Sequence, residues 1–563
     1  MKYYIKGKGP VDLNKNDFLA QGGQGAVYAQ GSTAFKIYLD PACMIPVAKI
    51  QELAPITSEP YIIGPQDILM DSKNNPVGYT MRFVKNTHAL CQTFTKDFRT
   101  KNNFTNDMVI RMVRNMQKGT EYIHSKDIII VDYNELNFLV DNKFDDVYFI
   151  DVDSYQTRSF PATVIMDNIR DRHSKVFSRE TDWFSWGIVT FQMFIGIHPY
   201  RGGYPKVKEM DDRMKQNISV FHNGVILPAM CRPFTVIPDN YRAWYKAVFE
   251  DGKRLPPPKD LQAVIFVATA VKQIKGSNNF LIDLSQTMSD DILYYGFIDG
   301  TPVILTKGGL FANNKLDDNV TADSCIAITP KLLHVIAAKI ENGKAIIYDS
   351  TGRKVLQSSI AAEQMMSYQG RLYVKNHCDV HEVQFVEVGT MILSTIKAVA
   401  NVLEKATQMF DGVVIQDVLG SWFASVFPKA GVHYQTQVKE LQGYKIINAK
   451  FDKGVLMIIA AKKGKYDKFI LRFASDYGSY DVRVVADVAT NELNFTVLDS
   501  GICAHINEDE KMEIFLAKRD APDIKVIDDP AISSDMKLCH KGTQTMFFKD
   551  NELYTITMTK KKP

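Results

Sequence analysis

Short apolar runs, broken by Gly and Pro, fill the first ~95 residues and predict a strand-rich start. From about 105 to 250 the period changes. Met108 to Ile123 carries apolar residues at three- and four-residue spacing, which predicts an amphipathic helix. Trp183 to Ile195 is more uniformly apolar and predicts a helix buried on most sides, with Pro199 as its stop. Gly252-Lys253-Arg254-Leu255-Pro256-Pro257-Pro258 is a break. A helical stretch at about 259–274 then leads to Gly276-Ser277-Asn278-Asn279, read as a linker.

From about 280 the texture is short strand runs with turn residues between them. Examples are Ile292 to Phe297, Val303 to Thr306, Ala345 to Tyr348, Val455 to Ile459, Phe469 to Arg472, Glu513 to Leu516 and Glu552 to Thr557. Asp299-Gly300 and Asn342-Gly343 are two-residue hairpin signals. The strand groups recur at about 40 residues, the length of a β-propeller blade. The remaining ~284 residues would hold six or seven blades. A pair of β-sandwiches is the alternative, since no repeated Trp-Asp signature marks the blades. Ile392 to Met409 looks helical and would be an insertion.

Length and composition narrow the classes. The 563 residues allow three to five compact units. A formal net charge of +3 gives no reason to expect nucleic acid or an anionic membrane as partner. The seven cysteines are scattered without a C-x-x-C pair, which argues against a disulfide framework or a zinc site. The opening MKYYIKGKGP lacks a signal-peptide core, and the longest apolar stretch, near Leu261–Val271, is too short to span a bilayer. The expectation is a soluble cytoplasmic protein of a bacterial cell or a phage-infected host.

The candidate chemistry lies in two acidic stretches, Val131-Asp132-Tyr133-Asn134-Glu135-Leu136-Asn137 and Ile150-Asp151-Val152-Asp153. An Asp and an Asn five residues apart can share one loop, and a second Asp follows after a short hairpin, the spacing of a phosphoryl-transfer site. Upstream, Leu19 to Tyr28 turns at Gly22, Gly23 and Gly25 and returns through Val27, so backbone N–H groups can approach phosphates with no Cβ in the way. Thr33 to Tyr38 is an apolar strand with one inward Lys36. Between Lys36 and Pro60 the acids able to pair with it from a helix are Glu52 and Glu59, and Glu52 sits in the more helical piece.

These stretches resemble the protein-kinase superfamily. Asn75 to Val84 looks like the strands that run into the hinge, Tyr122-Ile123-His124 is similar to the helix end before the catalytic loop, and Asp182-Trp183-Phe184-Ser185-Trp186-Gly187 and Ile195 to Tyr200 are similar to the large C-lobe helix and its exit. The closer resemblance is to an atypical bacterial and phage branch, with D-x-N-x-x-N in the catalytic loop and Asp151-Val152-Asp153-Ser154-Tyr155-Gln156 in place of D-F-G. The resemblance implies ATP and Mg²⁺. It implies Asp132 as base, Lys36 on the phosphates with Glu52 orienting it, and Asn137 and Asp151 on the metals. It implies phosphate cradling by Gly22, Gly23, Gly25 and Val27, Met81 as gatekeeper, and adenine contacts from the backbone of Arg82 and Val84.

The chain also departs from the pattern. Val131 replaces the usual Arg, Asn134 the usual Lys, and Asp153 the usual Gly, and no A-P-E precedes Asp182. The expected fold is multidomain, α+β plus all-β. A two-lobed kinase-like domain at 1–260 (N-lobe about 1–84, C-lobe about 85–260) precedes a linker helix and loop at 261–282 and a six- or seven-bladed propeller at 283–563. The expected function is a Ser/Thr protein kinase whose propeller recruits a protein substrate, with no nucleic-acid or membrane partner. The alternative is a nucleotide-binding pseudokinase scaffold acting through its propeller.

Overall fold

The computed structural model describes residues 1–162, 165–259, 276–312, 315–356, 358–521 and 524–559. The helix expected at about 259–274, and with it most of the 261–282 linker, lies outside the described residues. The chain is mixed α/β and mostly strand. Among the described residues all six α-helices lie before residue 250, and from 280 onward the regular elements are strands and one 3-10 turn.

The chain opens with a seven-stranded antiparallel half-barrel. Its strands are β1 (Lys2–Ile5), β2 (Gly9–Asp12), β3 (Phe18–Gln21), β4 (Gly25–Gln30), β5 (Thr33–Tyr38), β6 (Ile68–Met70) and β7 (Pro76–Arg82), in the order β2-β1-β6-β7-β5-β4-β3. Helix α1 (Val47–Thr57) lies between β5 and β6 in sequence. Close approach of β7 to β5 requires Gly78, where a Cβ would lie 2.0 Å from the Lys36 carbonyl oxygen.

A small sheet of β8 (Thr87–Ala89), β9 (Phe138–Asp141) and β10 (Val147–Phe149) accompanies the helices. These are α2 (Lys96–Lys101), α3 (Asn106–Ser125), α4 (Arg179–Ile195), α5 (Met210–Gln216) and α6 (Asp239–Phe249). Thr105 caps α3 through a bond from the Met108 N–H at 3.3 Å, and Val109, Met112, Val113 and Met116 form its buried stripe. Helix α4 is buried on every side from Thr181 onward, and its fully buried Phe191 and Phe194 contribute about 1.5–3 kcal/mol each. Its stop is Gly196, left-handed at φ 93° with its N–H on the Gln192 carbonyl, three residues before the expected Pro199.

Among the described residues the remaining strands form seven four-stranded antiparallel sheets. Six are sequential, at 292–317, 325–356, 364–401, 407–437, 445–485 and 495–527. The seventh pairs Phe280–Thr287 with the chain's last strand, Glu552–Met558, so both ends of this half share one sheet. Successive sheets pack through apolar faces. Val303 and Leu305 share a buried cluster with Ile326 and Ile328, and Val414 and Ala424 share one with Leu456 and Ile458. Ile304, from the sheet at 292–317, meets Cys539 and Met546 of the seventh sheet, so the series of packed sheets returns to its start. Asp299-Gly300 and Asn342-Gly343 are hairpin turns with φ positive at both residues, 47° and 81°, then 51° and 73°.

The helix expected at Ile392 to Met409 is absent. Met391–Asn401 is a strand paired along its length with Asp379–Val388, and Thr407–Phe410 opens the next sheet. Apolar residues at helical spacing are outweighed here by a long antiparallel partner that takes up the backbone hydrogen bonds.

The two halves are continuous in the core. The cluster under α3 and α4 runs into Ile447, Val455, Met457, Ile459 and Phe495. Among the described residues no helix is long and apolar enough to cross a membrane.

Candidate active site

The loop at 130–137 is held from below by α4. Asp182, fully buried, accepts the N–H groups of Ile130 at 2.7 Å and Val131 at 2.8 Å and meets His124 Nε2 at 2.9 Å. Val131 is left-handed at φ 65°, which for a β-branched residue costs about 1–3 kcal/mol. The two bonds to one carboxylate offset that strain.

Asp132 follows directly. Its Oδ2 accepts from Asn134 Nδ2 at 2.9 Å, and its backbone carbonyl accepts from Asn137 Nδ2 at 3.0 Å. Its Oδ1 accepts the backbone N–H of Met166 at 3.0 Å. Burial raises the Asp132 carboxyl above the ordinary range, against the pull of the bonds from Met166 and Asn134. Asn134 thus supports the loop twice, because its Oδ1 also caps the Leu136 N–H at 2.9 Å.

Lys36 lies across from this loop. Its Nζ is 2.9 Å from Asp151 Oδ1 and 3.0 and 2.8 Å from the two oxygens of Asp153. Burial works against the ammonium, but Tyr79, Asp151 and Asp153 outweigh it and hold its pKa well above the ordinary lysine value. Asp151 adopts φ 59°, and its side chain is 46% exposed, against 4% for Asp153. Asp153 also accepts from Tyr38 Oη at 2.7 Å and from Tyr79. Its burial raises the carboxyl, yet the Lys36 charge and these bonds leave it below the ordinary range.

Glu52 is not brought to Lys36. It does lie on α1, but its Oε2 accepts the Ser159 N–H at 3.2 Å. The residue that α1 turns toward the site is Lys49, whose Nζ donates to the Asp153 carbonyl at 2.8 Å. The expectation fails on helix rotation: the face of α1 nearest the site carries a cation, and an acid from the 151–155 loop already fills the place beside Lys36. Sequence reasoning recorded Asp153 as a departure and missed this contact. The signal was the doubled acid in Asp151-Val152-Asp153.

The other expected residues surround this centre. Val27 is paired with Lys36 across β4 and β5. Met81 packs beside Tyr38, Ile50 and Tyr79. Arg82 ends β7, and Val84 follows Phe83, whose N–H donates to the Ser32 carbonyl at 2.8 Å. Gly22 and Gly23 are exposed at the β3–β4 turn, closed by the Gly22 N–H on the Gly25 carbonyl at 2.9 Å.

The all-β half reaches the same region. Asp417 accepts the Gln21 N–H at 3.2 Å, Tyr466 Oη donates to Glu135 at 2.5 Å, and Lys445 Nζ donates to the Leu136 carbonyl at 3.2 Å. Both the glycine turn and the 130–137 loop are therefore touched from the all-β side.

Chemically, the site offers a recessed carboxylate in Asp132, a fixed cation in Lys36, and oxygen donors in Asp151 and Asn137. A half-exposed carboxylate, on a segment joined to the Asn137 backbone by the Ile150 N–H at 3.0 Å, suits a hard divalent cation such as Mg²⁺. Comparison of the chain with family models and with curated proteins finds no match.

Proposed function

We propose that the protein is an ATP- and Mg²⁺-dependent phosphotransferase acting on Ser or Thr of a protein substrate. In this reading residues 1–260 are a two-lobed kinase-like domain, with the half-barrel as the smaller lobe. The seven sheets from 280 onward are a seven-bladed propeller that presents the substrate. The observation that carries the reading is the meeting of three segments, the strand that bears Lys36, the loop that bears Asp132 and Asn137, and the turn that bears Asp151, with Lys36 Nζ 2.9 Å from Asp151 Oδ1.

Lys36 would bind the nucleotide phosphates. Asp132 would orient the substrate hydroxyl and accept its proton at the carboxylate. Asn137 and Asp151 would hold Mg²⁺, which supplies charge neutralisation at the transferring phosphoryl group. Asn134 leaves the substrate side without the usual Lys, so that charge stabilisation falls on Lys36 and the metal.

A second reading, a nucleotide-binding scaffold, draws support from the Met166 N–H on Asp132 Oδ1, which occupies the base. The test is intact mass after incubation with Mg·ATP, for the protein and for a host-lysate substrate pool, with Asp132→Asn as control. Gain of one phosphate unit with the wild-type protein alone supports transfer. Nucleotide binding without mass gain supports the scaffold.

A further inference from the structure

We infer that Asp153 is the positioning residue for Lys36, so that the lysine is set by the 151–155 loop and not by helix α1. This rests on the proposed nucleotide site.

Both Asp153 oxygens face Lys36 Nζ, at 3.0 and 2.8 Å, and one also accepts from Tyr38 Oη at 2.7 Å. Tyr79 completes the set. The carboxylate is 4% exposed, while Asp151 two residues earlier is 46% exposed. The two acids therefore divide the work. Asp151 is open to solvent and able to meet a metal. Asp153 is enclosed by a cation and two phenols, with its oxygens already engaged.

The backbone fits this division. Asp151 at φ 59° starts a 3-10 turn over Val152–Ser154. The two acid side chains then reach the same ammonium from one short loop. Lys49 Nζ fastens the Asp153 carbonyl at 2.8 Å, tying α1 to the loop by its cation, while Glu52 is held at Ser159.

The same geometry argues against Asp153 as a metal ligand. A carboxylate held by an ammonium and hydroxyl donors would have to give them up before binding a cation.

A double-mutant cycle on the full chain tests the inference, with Mg·ATP affinity measured by isothermal titration calorimetry for wild type, Lys36→Met, Asp153→Asn and the double variant. Far-ultraviolet circular dichroism checks that each variant is folded. Asp153→Asn alone should weaken binding by tenfold or more, and by no more than twofold in the Lys36→Met background. Asp153→Glu, which keeps the carboxylate, should recover part of the loss; where the dichroism of Asp153→Asn shows an unfolded chain, the cycle is run with Asp153→Glu in its place, and equal losses in both backgrounds again overturn the inference. Equal losses in both backgrounds would overturn the inference, because Asp153 would then act independently of Lys36. Wild-type affinity in Asp153→Asn would overturn it while leaving the nucleotide site standing. Failure of the wild-type protein to bind Mg·ATP would overturn both.

Discussion

Asp182→Asn isolates the support of the 130–137 loop. In the native protein one carboxylate oxygen accepts the Val131 N–H at 2.8 Å, and the other takes the Ile130 N–H at 2.7 Å and His124 Nε2 at 2.9 Å. An amide keeps one acceptor and turns an NH₂ toward the other donor. One buried N–H is left unsatisfied, at about 1–3 kcal/mol, and the remaining bond loses its charge assistance. Val131, at φ 65°, then loses what offsets its strain. A net local cost of about 3 kcal/mol corresponds to a roughly 100-fold change in the loop's opening equilibrium. Hydrogen exchange read by mass spectrometry on peptides covering 128–137 should show protection at Ile130 and Val131 falling by about that factor, while peptides from the sheet at 445–485 stay unchanged. Unaltered protection at those two amides would refute the account of how the loop is held.

Two further outcomes follow from the packing. Glu492, buried beside Asp97 and Lys537, is pushed up to about 7, first by burial and then by the Asp97 charge. Its folded pKa lies above its unfolded one, so its contribution is fully present below about pH 4.5 and is lost as pH rises through about 7. Thermal melts between pH 5 and 8 should show this decline in wild type and a flatter profile in Glu492→Gln; an unchanged slope would remove Glu492 as its source. Gly78→Ala places a Cβ 2.0 Å from the Lys36 carbonyl oxygen and must push β7 off β5. It should destabilise the half-barrel by about 1–3 kcal/mol or more, read as a lower midpoint in urea, and a wild-type midpoint would count against the close approach.

Much of the molecule follows from short-range pattern. Met108 to Ile123 is a helix because its apolar side chains recur at the helix period over several turns, and Trp183 to Ile195 is one because so long a uniformly apolar run exceeds strand length and is bounded by the Ser178 cap and the Gly196 stop. Asp299-Gly300 and Asn342-Gly343 are hairpin turns because few residue pairs accept positive φ twice in succession. Asp132 and Asn137 meet because five residues on one loop allow little else, as the 3.0 Å bond between them reflects.

Other features were settled only when distant segments met. Met391–Asn401 is a strand because Asp379–Val388 lies beside it, although its own apolar spacing also suits a helix. The pairing of Phe280–Thr287 with Glu552–Met558 depends on how far the intervening sheets turn, which no local signal encodes. The same holds for Lys36. Sequence reasoning places a lone lysine on an apolar strand, weighs Glu52 and Glu59 as its partner and takes Glu52, with Asp151 assigned to a metal and Asp153 read as a departure. The rotation of α1 turns Lys49 inward and Glu52 toward Ser159, while the left-handed turn at Asp151 brings Asp153 to the ammonium. Periodicity and turn chemistry are local energies and can be read along the chain. The partner of a buried charge is decided by which carboxylate the assembled elements leave within about 3 Å, because only at that range does pairing offset the cost of removing both ions from water.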